Sequence, residues 1–228
     1  WQLHLRERDA NAPTVISTFA GCGGSSLGYS MAGFRELLAI EWDKNAAETF
    51  KLNFINVPII QDDIAKISVE QIFEITKLNK YELDILDGSP PCQGFSTAGK
   101  RKFNDRRNEL YKEYIRLLND LQPKAFVMEN VSGMVKGKMK LIFADILNGL
   151  KSCGYRVSVR LLNAMYYGVP QSRNRLIFIG FRNDLDIEPS HPEPKYKPIK
   201  VIDAWGGKYL DGENHYLKEN TDLYKYIS

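Results

Sequence analysis

The segment Gly88-Ser89-Pro90-Pro91-Cys92-Gln93-Gly94-Phe95-Ser96 places a thiol inside a double-proline turn. Proline fixes φ, so such a turn presents its cysteine from a stiff backbone. The run Leu83–Leu86 ahead of it, closed by Asp87 and Gly88, reads as a buried strand that stops at a turn. A thiol at that place can serve as a nucleophile once ionised. An isolated cysteine is also often just a small buried hydrophobe, and this segment alone leaves both readings open.

A second cluster precedes it. Phe19-Ala20-Gly21-Cys22-Gly23-Gly24 follows the strand-like run Val15–Phe19 and opens a helical pattern around Ser26–Ala32. Glycines there allow a tight turn and close approach to a ligand. Glu41 follows Gly21 by twenty residues, at the end of the run Glu36–Ile40, where an acid can accept hydrogen bonds from a ribose diol. Trp42 beside it offers a face for an adenine ring, and Asp63 ends a third short run, Pro58–Ile60. Together these residues describe an adenosine pocket. Three occupants compete: none at all (a plain tight turn), a nicotinamide dinucleotide, or S-adenosylmethionine. The dinucleotide fingerprint breaks at Ser26, where its third glycine should stand. For Asp63 an ordinary turn acid is an equally good reading.

The elements that must hold these residues alternate. Strand-like runs at 15–19, 36–40, 58–60, 83–86 and 125–128 are separated by helical patterns at 26–32, 45–54, 69–78 and 110–121. The fourth helix rests on Leu110, Tyr114, Leu117, Leu118 and Leu121, spaced as one apolar face. A helix over Leu141–Leu150 ends at Gly154, and two late strands, Arg156–Leu162 and Leu176–Phe181, follow. Alternation of this kind predicts an α/β fold: a doubly wound, mostly parallel sheet with ligands outside the carboxyl ends of its strands.

At 228 residues with 43% hydrophobic content, the chain can build one large core. Its net charge of +3 permits a nucleic-acid partner without arguing for one. Three cysteines without metal-ligand spacing argue against zinc and against a disulfide framework, and favour a reducing compartment such as the cytoplasm. No apolar run reaches membrane-spanning length. No metal and no membrane are expected.

Four signals stand in fixed order: Phe19-Ala20-Gly21-Cys22-Gly23-Gly24, Pro90-Pro91-Cys92-Gln93, Glu129-Asn130-Val131 and Gln171-Ser172-Arg173-Asn174-Arg175. In this order they resemble the DNA (cytosine-5) methyltransferase family of the bacterial modification type, over roughly residues 14–182. The resemblance implies a Rossmann-like S-adenosylmethionine-dependent methyltransferase fold. It implies Cys92 as the thiolate that adds to cytosine C6, Glu129 at the ring N3, Arg175 at O2 and Arg173 in support. It places Phe19, Gly21, Gly23, Gly24, Glu41, Trp42, Asp63, Ile64, Pro91 and Leu110 about the cofactor. Duplex DNA is the implied partner, with the target cytosine flipped out of the stack. Gln93 and Ser96 would meet that DNA. Lys100, Arg101, Arg106 and Arg107 would grip its phosphates from the basic loop between them and the fourth helix. Arg173 and Arg175, two apart, would share one face of a strand.

Residues 1–13 read as a lead-in, 14–182 as the catalytic domain, and 183–228, rich in Pro, Lys, Tyr and Gly, as a linker into an incomplete target-recognition region. The family's recognition region and its closing motif are not found here. A shortened chain, one subunit of a split enzyme with a second polypeptide as partner, and an inactive remnant all fit that departure. An RNA (tRNA) cytosine-5 methyltransferase and a non-catalytic subunit that binds DNA or cofactor are the competing functions.

Overall fold

A computed structural model describes residues 9–91, 109–135, 137, 139–194 and 197–204. Cys92, Gln93, Ser96, Lys100, Arg101, Arg106 and Arg107 lie outside them. The described chain alternates strand and helix as its periodicity predicts: β1 (Thr14–Thr18), α1 (Gly24–Met31), β2 (Arg35–Ile40), α2 (Lys44–Asn53), β3 (Ile59–Ile60), α3 (Val69–Thr76), β4 (Ile85–Gly88), α4 (Leu110–Leu121), β5 (Ala125–Val131), α5 (Met139–Ser152), β6 (Tyr155–Asn163) and β7 (Asn174–Arg182). The seven strands form one sheet in the order β3-β2-β1-β4-β5-β7-β6. β1 pairs in parallel with β2 and β4, as do β2 with β3 and β4 with β5, whereas β7 runs antiparallel to β5. The fold class is the expected mixed α/β sheet, mostly parallel.

Burial explains why the central runs lack alternation. β1 is buried along its whole length, as a parallel strand covered on both faces must be. α4 turns Tyr111, Tyr114, Leu117, Leu118 and Leu121 into the core, each worth about 1.5–3 kcal/mol of transfer when fully buried. Tyr114 also donates its hydroxyl to Leu86 O at 3.0 Å and Val127 O at 3.3 Å, stitching the helix to β4 and β5. Its ring lies against Gly88, where an added Cβ would stand 2.6 Å from Tyr114 Cε2. Asp43 and Ser68 cap α2 and α3 through Ala46 N at 2.8 Å and Gln71 N at 3.2 Å.

The contact pattern divides the chain into two compact units, Trp1–Leu162 with Asn174–Pro192, and Asn163–Arg173 with Glu193–Ser228. In the smaller unit, Asn163 closes a loop on itself. Its Oδ1 accepts from Met165 N at 3.1 Å and Arg173 N at 3.2 Å, and Ala164 N donates to Arg173 O at 3.0 Å. Both backbone groups of Arg173 are thereby taken, and β7 begins one residue later. The expected shared strand face of Arg173 and Arg175 is corrected accordingly: only Arg175 lies on the strand.

Among the described residues no helix is long and apolar enough to cross a membrane, and no group of three His, Cys, Asp or Glu could hold a metal ion.

Candidate active site

A cavity of about 890 Å³ opens past the carboxyl ends of β1 to β4, within the larger unit. Its lining takes Phe19 from β1's end, Ile40, Glu41, Trp42 and Asp43 from β2's end, and Asp62, Asp63, Ile64 and Ala65 from the turn after β3. Ser89 and Pro91 follow β4, and Glu109, Leu110 and Glu113 open α4. Phe19, Glu41, Trp42, Asp63, Ile64, Pro91 and Leu110 were all expected at a cofactor. Leu110 belongs to α4's apolar spacing but faces this cavity rather than joining the fully buried row. Asp43, Asp62, Glu109 and Glu113 were missed. The signal for Asp43 was its N-cap position two residues after Glu41, and for Glu109 and Glu113 an i, i+4 acidic pair at the start of a helix; Asp62 had only its place beside Asp63.

The local geometry fits a nucleoside. Glu41 Oε2 accepts from Gly21 N and Oε1 from Asp43 N, each at 2.7 Å. Each oxygen keeps a second acceptor site for a diol. Trp42 lines the cavity while 71% exposed, an apolar ring left uncovered where a flat base could cover it. Gly21 turns the chain at φ 56°, with nothing within 4 Å of where a Cβ would project. Phe19 adopts φ 54°, a conformation that costs a bulky residue energy and concentrates at functional turns. Gly23, at φ 92°, lets Phe54 close in, with Cδ2 2.9 Å from its would-be Cβ, and Gly24 starts α1. Gly21, Gly23 and Gly24 shape the turn without lining the cavity.

Three side chains clamp the turn that leads to Cys92. Thr18 Oγ1 donates to Asp87 O at 2.9 Å, Ser89 Oγ to Phe19 O at 3.3 Å, and Asn130 Nδ2 to Pro90 O at 3.2 Å. Asn130 is 2% exposed, and its Oδ1 accepts from Val131 N at 2.8 Å, so both of its polar atoms are engaged.

Next to Asn130 on β5, Glu129 meets Arg175 from β7, Nε to Oε1 at 2.5 Å. The antiparallel register sets this up by placing Arg175 opposite Val131, two residues from Glu129 and on the same face. Burial leaves Arg175 Nε without an aligned acceptor, so the contact is an ion pair more than a directed hydrogen bond.

Beneath the glycine turn lies a buried acid network. Ser25 Oγ donates to Asp87 Oδ2 at 2.6 Å, Tyr29 OH to Oδ1 at 3.1 Å, and Ser26 Oγ to Glu36 Oε1 at 2.9 Å. Burial pushes the Asp87 carboxyl up to about 6 against the pull of the Ser25 and Tyr29 hydroxyls, with the Glu129 charge adding to the rise. Burial likewise pushes Glu36 up to about 7, opposed by the Ser17 and Ser26 hydroxyls.

Residues 13–226 match the family described as C-5 cytosine-specific DNA methylase. The chain belongs to that family. It is 40% identical over 204 residues to the type II methyltransferase M.AquIA of Picosynechococcus, covering 84% of this chain and 82% of that protein. It is 42% identical over 184 residues to M.NgoPII of Neisseria gonorrhoeae, covering 80% of this chain and 52% of that protein. The chain spans about half the length of several other curated relatives it matches. A prophage-encoded protein of E. coli described as a DNA modification methyltransferase superposes with TM-score 0.73 at 35% identity, over 85% of this chain and 54% of that one. Family and fold together imply a methyl donor.

Proposed function

We propose that this methylase-family chain carries the cofactor-binding and catalytic parts of a DNA (cytosine-5) methyltransferase of a restriction–modification system, with S-adenosylmethionine as donor. One observation supports the reading above the others. Phe19, Glu41, Trp42, Asp63, Ile64, Pro91 and Leu110, all assigned to the donor, line one cavity, and Asn130 ties the turn lining that cavity to the strand bearing Glu129. The cavity's volume falls in the range of small-molecule sites. Glu41 would hold the ribose hydroxyls, Trp42 and Phe19 the adenine faces, Asp63 and Ile64 the adenine edge, and Pro91 and Leu110 the apolar middle. When bound, the donor supplies an electrophilic methyl on a sulfonium.

The remaining chemistry belongs to the chain. Cytosine C5 is a poor nucleophile until a thiolate adds to C6. Cys92, which follows the clamped turn in the sequence, would supply that thiolate, and the C5–C6 π pair becomes available at C5 as Glu129, oriented by Arg175, hydrogen bonds at N3. Arg175 also serves O2, where charge gathers. After methyl transfer a base removes the C5 proton. The C–H pair re-forms the double bond and expels the Cys92 thiolate. Lys100, Arg101, Arg106 and Arg107 would hold phosphates of the duplex around the flipped base, with Gln93 and Ser96 beside it and Arg173 in support.

Covalent trapping tests this. The chain is incubated with S-adenosylmethionine and unmethylated DNA containing 5-fluorocytosine, then denatured. Fluorine cannot leave C5 as a proton, so an adduct that Cys92→Ser abolishes is expected. Absence of any adduct, even with a target-recognition region supplied on a second polypeptide, refutes the proposal. An adduct formed on tRNA in preference to duplex DNA would reassign the substrate.

A further inference from the structure

Arg116 does more than its position on the outer half of α4 foretells. Its Nη2 donates to Ile64 O at 3.0 Å and to Ile67 O at 3.0 Å. Its Nε donates to Glu113 Oε2 at 2.8 Å, and Nη1 stands 3.8 Å from Asp120 Oδ2. One guanidinium therefore grips two backbone carbonyls of the turn after β3 and two carboxylates of α4. A planar fork with five donors can do this, and an ammonium cannot hold all of them at once.

Two of the four gripped residues belong to the cavity wall. Ile64 and Glu113 line it, and so do Asp63 and Ala65 beside Ile64 and Leu110 one turn before Glu113. The turn after β3 is a single short 3-10 stretch, Ile64–Lys66, whose own closing bond, Ile67 N to Ile64 O, is long at 3.3 Å. Ile64 and Ile67 are buried at 4% and 2% exposure. Ile64 O has only that long bond from the stretch's own ladder, which leaves both carbonyls room for a stronger outside donor. β3 offers little further support, being only two residues long at the sheet's edge.

We propose that Arg116 is a positioning residue of the donor cavity. By joining the Asp63–Ile64 wall to the Leu110–Glu113 wall, it sets the gap between them before the donor enters. This rests on the assignment of the cavity to S-adenosylmethionine. A preset gap spares the ligand the cost of ordering the wall on binding. Its loss should therefore appear in donor affinity and in the KM for donor, with kcat and DNA binding unchanged.

The test compares the wild-type chain with Arg116→Gln and Arg116→Lys by calorimetric titration of S-adenosylmethionine, well below the melting temperature of each, with circular dichroism to confirm folding. Arg116→Gln should weaken donor binding by roughly ten- to a hundredfold, as loss of bonds from a charged donor implies. Arg116→Lys should recover only part of that. If Arg116→Gln melts earlier but binds the donor like wild type, the role is structural and the inference falls. Full recovery in Arg116→Lys overturns it too, since charge without the fork would then suffice. If the wild-type chain itself fails to bind S-adenosylmethionine, the assignment of the cavity fails and takes this inference with it.

Discussion

Replacing Asp87 by Asn should stabilise the protein at alkaline pH and not at acid pH. The carboxyl sits 8% exposed, between Ser25 and Tyr29 of α1. Its folded value of about 6 stands above the ordinary 3.8, so the folded state favours the protonated acid. Between about pH 4 and 6 the folded protein holds a proton that the unfolded chain has released, and stability therefore falls as pH rises through that window. At about 1.4 kcal/mol per pH unit, the gap amounts to about 3 kcal/mol once the carboxyl is ionised. Asn keeps an acceptor for one hydroxyl and removes the buried charge, at a cost of about 1 kcal/mol for the weaker bond to Ser25. Urea unfolding at about pH 4.5 and about pH 8 should show Asp87→Asn near wild type or slightly below it at the acid end. At the alkaline end it should be about 2 kcal/mol more stable. Equal stability differences at the two pH values would refute the reasoning, because the charge would then not be the source of strain.

The other expectations are more local. Gly180→Ala would place a Cβ against the Phe126 ring, with Cζ at 2.6 Å. Overpacking at the β5–β7 pairing should cost about 1–3 kcal/mol in urea melts, and an unchanged midpoint would contradict the packing described. Trp42→Ala should weaken donor binding roughly tenfold or more through lost stacking, with no change in the unfolding curve since the ring is 71% exposed. Calorimetry and a melt on the same sample decide it. Arg175→Gln, which removes the charge facing Glu129 at 2.5 Å, should lower single-turnover methyl transfer by about 10²–10³ while leaving donor affinity alone. A loss confined to donor affinity would place Arg175 elsewhere in the cycle.

Much of this was legible because the signals were local. Apolar runs closed by Gly, Pro or acids marked the strands, and Leu110, Tyr114, Leu117, Leu118 and Leu121 marked α4 to the residue. The cavity proposed for the donor was legible for the same reason: each lining residue predicted for it lies within three residues of a strand's end or opens a helix. What escaped reading depends on partners far along the chain. Arg173 lies off β7 because the Asn163 side chain, ten positions earlier, holds its N–H. Asn130 could be suspected of orienting the turn, but its bond to Pro90 O needs β4 and β5 side by side. Arg116 reads as one more charge on a helix's polar face until the turn after β3 is seen packed beneath it. Asp87 reads as the end of a strand, and only burial among α1 hydroxyls turns it into a titrating group.

The sheet order also says when each part of the site can exist. Every residue lining the cavity falls between Phe19 and Glu113, and the strands that aim them, β3-β2-β1-β4, are neighbours in the sheet. A chain emerging from the ribosome has all of these once α4 is out. Glu129 gains its guanidinium only after β7 has been made and has threaded back antiparallel against β5, a distant pairing of the kind that forms slowly. A nascent chain can thus hold a finished cavity, the one proposed for the donor, while Glu129 still lacks its partner. Donor binding, being the earlier assembly, is the property that folding faults in β6 or β7 should spare.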